Sequence, residues 1–168
     1  APGAAYISDV CESYVQENFQ HVIRDSAEMV AIIETMEVSG ESALVSFDIT
    51  DYYPTPQHVD LVNTSGRALR SSDAEKTKAF KDLTALVLEE QYVVSQVKRL
   101  FYRCNKGSAI GMKASGGLCD ACLAEKEESL LFTRMRTQQH QVGEVRLYKR
   151  FKDDGLMIIS GTDEQIVE

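Results

Sequence analysis

Residues 44–56 read LVSFDITDYYPTP, and residues 147–159 read LYKRFKDDGLMII. In the first stretch a period of two sets Val45, Phe47 and Ile49 on one side and Ser46, Asp48 and Thr50 on the other, the pattern of a half-buried strand. Pro54 and Pro56 end it, because proline fits neither a helix interior nor a central strand. In the second stretch the runs EVRLYKRF and GLMIIS flank Lys152, Asp153 and Asp154, a strand–turn–strand pattern. Both stretches hold carboxylates beside a core, where a charge is costly unless it is paired or bound to a cation. Adjacent Asp153 and Asp154 repel each other, and a divalent ion removes that repulsion. Oxygen donors of this kind suit magnesium or manganese rather than zinc. Taken singly, each acid has a simpler structural reading: Asp-Asp-Gly is a good turn, and a strand Asp can face solvent.

Outward from these two stretches the pattern is largely helical. Val10, Tyr14, Phe19, Val22, Ile23, Met29, Val30 and Ile33 recur at helical spacing, which predicts one or two helices over residues 6–36. VSGES then breaks the periodicity. Residues 63–73 are polar and predict a loop. Residues 74–91 predict a helix with Phe80, Leu83, Leu86 and Val87 on one stripe. YVV and VKRLFYR predict two strands joined by a tight Ser-Gln turn. CNKGSAIGMKASGG predicts a glycine-rich loop running into a helix over about residues 118–135.

The 168 residues suit one domain, or a domain with a helical extension, and are enough to bury a sizeable core. No apolar run is long enough to cross a bilayer and no signal-peptide pattern is present, so no membrane partner is expected. The first residue is not Met and DEQIVE closes no recognisable element, which suggests a processed chain or a fragment. A net charge of −8 is unusual for a nucleic-acid binder. The charge is uneven: up to Glu90 there are 6 Lys/Arg against 16 Asp/Glu, and from Gln91 onward 12 against 10. The basic groups of the second part, among them Lys98, Arg99, Arg103, Lys106, Lys113, Arg146, Lys149, Arg150 and Lys152, are candidates for phosphate contacts, although a solvated surface explains most of them singly. Cys11, Cys104, Cys119 and Cys122 show no disulfide framework, which points to free thiols and a reducing, intracellular compartment. Cys119 and Cys122 form a CxxC, but His21, His58 and His140 are scattered, so a core role outweighs a metal site.

The combination of these segments, in this order, resembles reverse transcriptases. LVSFDITDYYPTP is similar to motif A, GSAIGMKASGGLCDACLAEKEE (residues 107–128) to motif B, and LYKRFKDDGLMII to motif C. The wording SFD with its aromatic-Thr-Pro turn, FY before the motif B glycines, and KRF before the Asp pair is most similar to Penelope-like retroelement enzymes. The resemblance implies an α+β fold: a polymerase palm-like antiparallel sheet with helices packed on one face, preceded by an N-terminal helical segment. That divides the chain into a helical segment over residues 1–41 and a palm over 42–168, expected to be truncated.

The same resemblance implies RNA-directed DNA polymerase activity. In this reading Asp48 and Asp153, helped by the Ile49 carbonyl, ligate two magnesium or manganese ions, and Asp154 supports the site. Tyr53 lies against the sugar of an incoming dNTP and crowds a 2′-OH. Ile110 and Gly111 lie under the nascent base pair, and Lys113 reaches a phosphate. The implied partners are an RNA template, a DNA primer and dNTP, with a larger protein or ribonucleoprotein assembly.

Three departures bear on this. Met112 and Lys113 stand where motif B usually has Ser-Pro. Lys152 stands where motif C usually has a small or apolar residue, and an ammonium there is expected to lie near Asp153 or Asp154. Residues 1–47 contain one basic residue, Arg24, where the family's fingers supply several. The alternative is a reverse-transcriptase-like domain that no longer polymerises and serves as a structural or RNA-binding part of an assembly. A viral RNA-dependent RNA polymerase palm shares the acid pattern, but Tyr53 argues against it. Little or no primer extension is expected of the chain on its own.

Overall fold

The alternation read in residues 44–50 is the alternation of a real strand. In a computed structural model describing residues 2–38, 40–138 and 143–162, β1 spans Ser42–Asp48, and its Val45 and Phe47 are half-buried while Leu44, Ser46 and Asp48 are exposed. β1 pairs antiparallel with β5 (Asp154–Ser160), which pairs antiparallel with β4 (Glu144–Phe151), giving the order β1-β5-β4. The β4–β5 ladder slips by one residue between Val145 and Leu147, a bulge that leaves Arg146 unpaired. The architecture is α+β with antiparallel sheets, as expected.

The chain forms two compact units, one of residues 1–18 and 51–125, the other of residues 19–50 and 126–168. The second unit holds the three-stranded sheet. Residues 21–23 run along the free edge of β4: Arg150 N–H donates to the His21 carbonyl and Ile23 N–H to the Arg150 carbonyl, each at 2.9 Å. Helix α2 (Ser26–Glu34) follows, its N-terminus capped by Asp25, which accepts from Glu28 N–H at 2.9 Å. Phe132 of α6 (Ser129–Gln138) packs edge-on against Tyr148 of β4, with ring centroids 5.1 Å apart.

The first unit is mostly helical: α1 (Pro2–Asn18), α3 (His58–Ala68), α4 (Ala74–Glu89) and α5 (Ser115–Leu123), plus a hairpin of β2 (Tyr92–Ser95) and β3 (Leu100–Arg103). Ile7, Cys11, Val15, Leu61, Leu88 and Leu118 form its core. Cys119 and Cys122 are buried on α5, in keeping with a core role. Burial pushes the Cys11 thiol up to about 12. His140 and the residues after Thr162 lie outside the described residues.

Three segments differ from the sequence pattern. The expected loop over residues 63–73 begins as the last turns of α3, because Thr64 and Ser65 are buried and satisfied: Thr64 Oγ1 donates to Glu125 at 2.9 Å and Ser65 Oγ to the Val62 carbonyl at 2.8 Å. Tertiary partners here override weak helix propensity. The β2–β3 connection is a four-residue turn, Gln96–Arg99, with φ +50° at Arg99, rather than a two-residue one. The helix expected from residue 118 starts at Ser115 and carries a π-helical segment, Ala124–Glu128, before α6.

Candidate active site

The second unit brings the motif A and motif C acids to one end of its sheet. Asp48 is paired with Asp154 across β1 and β5, and Ile49 N–H donates to the Asp153 carbonyl at 2.8 Å. Lys152 and Asp153 form the two-residue β4–β5 turn, with φ +55° at Lys152. Directly opposed residues in an antiparallel pair hold their Cβ atoms about 5 Å apart, and like charges there repel. Asp48 and Asp154 are exposed and Asp153 is half-buried, so water reaches all three.

What holds this end in place lies on the other face of the sheet. The Phe47 ring covers Gly155, where an added Cβ would fall 2.0 Å from a ring carbon, and stacks on Tyr148 at 5.4 Å and 27°. The glycine of Asp-Asp-Gly is therefore a packing requirement, and the stack fixes β1 against the hairpin. Arg150, 0% exposed, lies in the same layer. Its Nε and Nη2 donate to the two Glu128 carboxylate oxygens at 2.8 and 3.0 Å, and its Nη1 donates to the Lys152 carbonyl at 2.7 Å. Glu128 also accepts from Tyr148 Oη at 2.8 Å and pairs with His21 Nε2 at 2.8 Å. Burial alone would raise the Glu128 carboxyl; hydrogen bonds from His21 and Arg150, with the Arg150 charge, outweigh it and bring the group down to about 2.

This network corrects the reading of Arg150 as a phosphate contact: its guanidinium is committed inside the protein. Sequence reasoning missed it, although Tyr148 and Arg150 share one face of β4 by alternation and the EKEE run offers an acid. The ammonium of Lys152 lies 6.0 Å from the centre of the Phe151 ring.

Among the described residues no three His, Cys, Asp or Glu side chains form a group able to hold a metal by themselves. The donor chemistry still fits a hard divalent ion. Magnesium commonly takes one or two carboxylates and fills the rest of its shell with water and substrate phosphate.

The nucleotide-contact candidates all lie in the first unit. Tyr53 is half-buried, its ring edge-on to Tyr52 at 4.8 Å, and its carbonyl accepts from Ser108 N–H at 2.9 Å. Tyr52 is buried and donates to Asp120. Gly107 seals the same junction with φ +73°; an added Cβ would stand 2.5 Å from Pro54 Cα, and its N–H donates to the Pro56 carbonyl at 2.7 Å. The turn after β1 and the motif B loop are thus one packed piece. Beyond it the loop is open. Ile110 is 83% exposed, Gly111 has φ +90° with nothing within 4 Å of where a Cβ would stand, and Lys113 is exposed. Ser115 Oγ ties the loop down through the Ala109 carbonyl at 2.6 Å, and Gln91 Oε1 accepts from Ala109 N–H.

An antiparallel sheet with motif A and C acids at one end, in a chain that also packs the motif A turn on the motif B loop, is a reverse-transcriptase-like fold. Solved telomerases share this fold. Telomerase from Candida tropicalis in complex with a fragment of telomeric RNA superposes with a TM-score of 0.68 at 14% identity, over 96% of this chain and 29% of that one. The apo Candida tropicalis enzyme truncated from its C-terminal domain gives 0.63 at 11% identity, over 97% and 34%. Candida albicans telomerase with its RNA fragment gives 0.61 at 10% identity, over 96% and 30%. The chain thus spans about a third of these proteins. No protein-family model and no curated protein matches the sequence. No described helix is long and apolar enough to cross a membrane.

Proposed function

We propose that this chain is the palm core of an RNA-directed DNA polymerase, acting on a primer 3′-OH and dNTP with an RNA template. The observation that carries the reading is the pairing of Asp48 with Asp154, with Asp153 bonded to Ile49 beside them, at one sheet end in a reverse-transcriptase-like fold. Two opposed carboxylates without a cation repel; the fold keeps them together through the Phe47–Tyr148 stack and the Arg150 brace on the Lys152 carbonyl. A geometry retained against its own charge is most simply explained by a cation-binding role.

In this proposal Asp48 and Asp153, with the Ile49 carbonyl, hold two magnesium or manganese ions, and Asp154 supports them. When bound, such ions lower the cost of the charge that develops on the attacking and leaving oxygens of phosphoryl transfer. The residues of the chain contribute positioning and charge rather than acid–base chemistry. Tyr53 sets the preference for dNTP over NTP, the open loop of Ile110 and Gly111 offers backbone to a base pair, and Lys113 meets a phosphate. Within reverse transcriptases, the wording of the motifs favours a Penelope-like retroelement origin, and the absence of a disulfide framework in the sequence favours a reducing, intracellular setting.

The test is manganese binding, followed by its paramagnetic signal. Wild type should bind, and Asp48→Asn and Asp153→Asn should each weaken binding at least tenfold. Unchanged binding in both variants would remove the proposed site and favour a reverse-transcriptase-like domain that serves a structural or RNA-binding part in an assembly. In primer extension on an RNA template, Tyr53→Ala should narrow the gap between dNTP and NTP.

A further inference from the structure

The β2–β3 hairpin carries a surface that the catalytic reading does not use. Every residue of its two strands except Ser95 is exposed, with Phe101 at 73% and Val97 at the turn at 95%. A two-stranded ribbon is marginal in water without something to cover its apolar side chains. Its base, by contrast, is firmly held. Buried Gln91 accepts from Cys104 N–H at 2.9 Å through its carbonyl, and Arg103 Nε donates to the Glu89 carbonyl at 2.9 Å. The ribbon is therefore an anchored projection.

Its charge is opposite to that of the chain. Residues 91–106, QYVVSQVKRLFYRCNK, contain Lys98, Arg99, Arg103 and Lys106 and no acid, in a protein of net charge −8. Arg103 pairs with Glu89 at 3.2 Å; Lys98, Arg99 and Lys106 have no acidic partner among the described residues. The register puts Tyr92, Val94, Phe101 and Arg103 on one face, so that face presents aromatic rings beside a cation. Exposed rings interleaved with unpaired cations suit a flexible polyanion with π-faces. The rings stack on bases and the cations track the backbone.

We propose that the β2–β3 ribbon is a contact surface for single-stranded nucleic acid, with Phe101 stacking on a base and Lys98 and Arg99 meeting phosphates. This rests on the reading of the chain as a nucleic-acid enzyme but uses no residue of the acid site. The contact is not sequence-specific, because every base has a π-face.

The experiment is fluorescence anisotropy of labelled oligouridine and oligothymidine of about twelve nucleotides with the whole chain. Wild type should bind both. Phe101→Ser should weaken binding roughly tenfold while Phe101→Trp retains it, since stacking needs only a ring. The double variant Lys98→Ser, Arg99→Ser should lower the slope of log K against log salt by about 1.4, two single-strand phosphate contacts. Lys78→Ser, which removes an exposed cation of α4, should bind as wild type, and the hairpin variants should keep manganese binding, which separates this surface from the metal site. Hairpin variants that bind like wild type would overturn the proposal and leave the catalytic reading standing. Absence of oligonucleotide binding at low salt would overturn it, and manganese binding would then judge the catalytic reading on its own. So would hairpin variants that abolish self-association or binding to phosphatidylserine vesicles but not oligonucleotide binding.

Discussion

Replacing Glu128 by Gln keeps the shape of the side chain and removes the charge that Arg150 faces. Arg150 is fully buried, and its Nε and Nη2 both bond to the Glu128 carboxylate, so the variant removes the negative charge that both nitrogens face inside the second unit. Breaking one side of a buried pair costs about 3–5 kcal/mol. At roughly 2–4 °C per kcal/mol for a chain of this size, Tm should fall by about 10 °C at pH 7. The pH dependence gives a second, independent measure. The folded carboxyl, lowered from 4.5 to about 2, sits below its unfolded value, so its stabilisation is complete above pH 4.5 and drains as the pH falls toward 2. That depression is worth about 3 kcal/mol, of which about 2 kcal/mol is gone at pH 3. Thermal unfolding of wild type and Glu128→Gln, followed by circular dichroism at pH 7 and pH 3, should therefore show a gap that shrinks by roughly half at the lower pH. The paired change Glu128→Leu, Arg150→Met should recover most of the loss, since it leaves no buried charge. Equal Tm values at pH 7, or a gap unchanged between the two pH values, would refute the view that this pair braces the sheet end.

Gly155→Ala should destabilise by about 1–3 kcal/mol in denaturant titration, because its Cβ falls 2.0 Å from the Phe47 ring and that ring is stacked on Tyr148. Gly107→Ala should cost clearly more than Gly111→Ala: both have positive φ, but only Gly107 would drive its Cβ to 2.5 Å from backbone, at Pro54 Cα. A thiol reagent on the native chain should label half-buried Cys104 first and leave buried Cys11, Cys119 and Cys122 to react only on unfolding; rapid labelling of Cys11 would contradict a thiol held at about 12.

The strands that carry the acids were legible in the sequence because a half-buried strand writes its two faces as alternation. Val45 and Phe47 inward with Ser46 and Asp48 outward is what the structure shows. The β4–β5 hairpin was legible for the same reason, since apolar runs on both sides of Lys152–Asp153 leave one place to turn. Helices α1, α2 and α4 followed from apolar spacing at 3.6 residues. The pairing of Asp48 with Asp154 was another matter: 106 positions separate them, and only the antiparallel register of β1 on β5 makes them neighbours. The same holds for α3, whose polar residues look like a loop until Glu125 is there to accept from Thr64. It holds most of all for Arg150. Along the chain it is one cation in a basic stretch; in the fold it is buried, because Glu128, 22 positions earlier, meets its guanidinium and the Lys152 carbonyl takes its remaining arm. Local pattern encodes which face of an element is apolar. Which charge finds which partner depends on distances through space, and those exist only once the chain has folded.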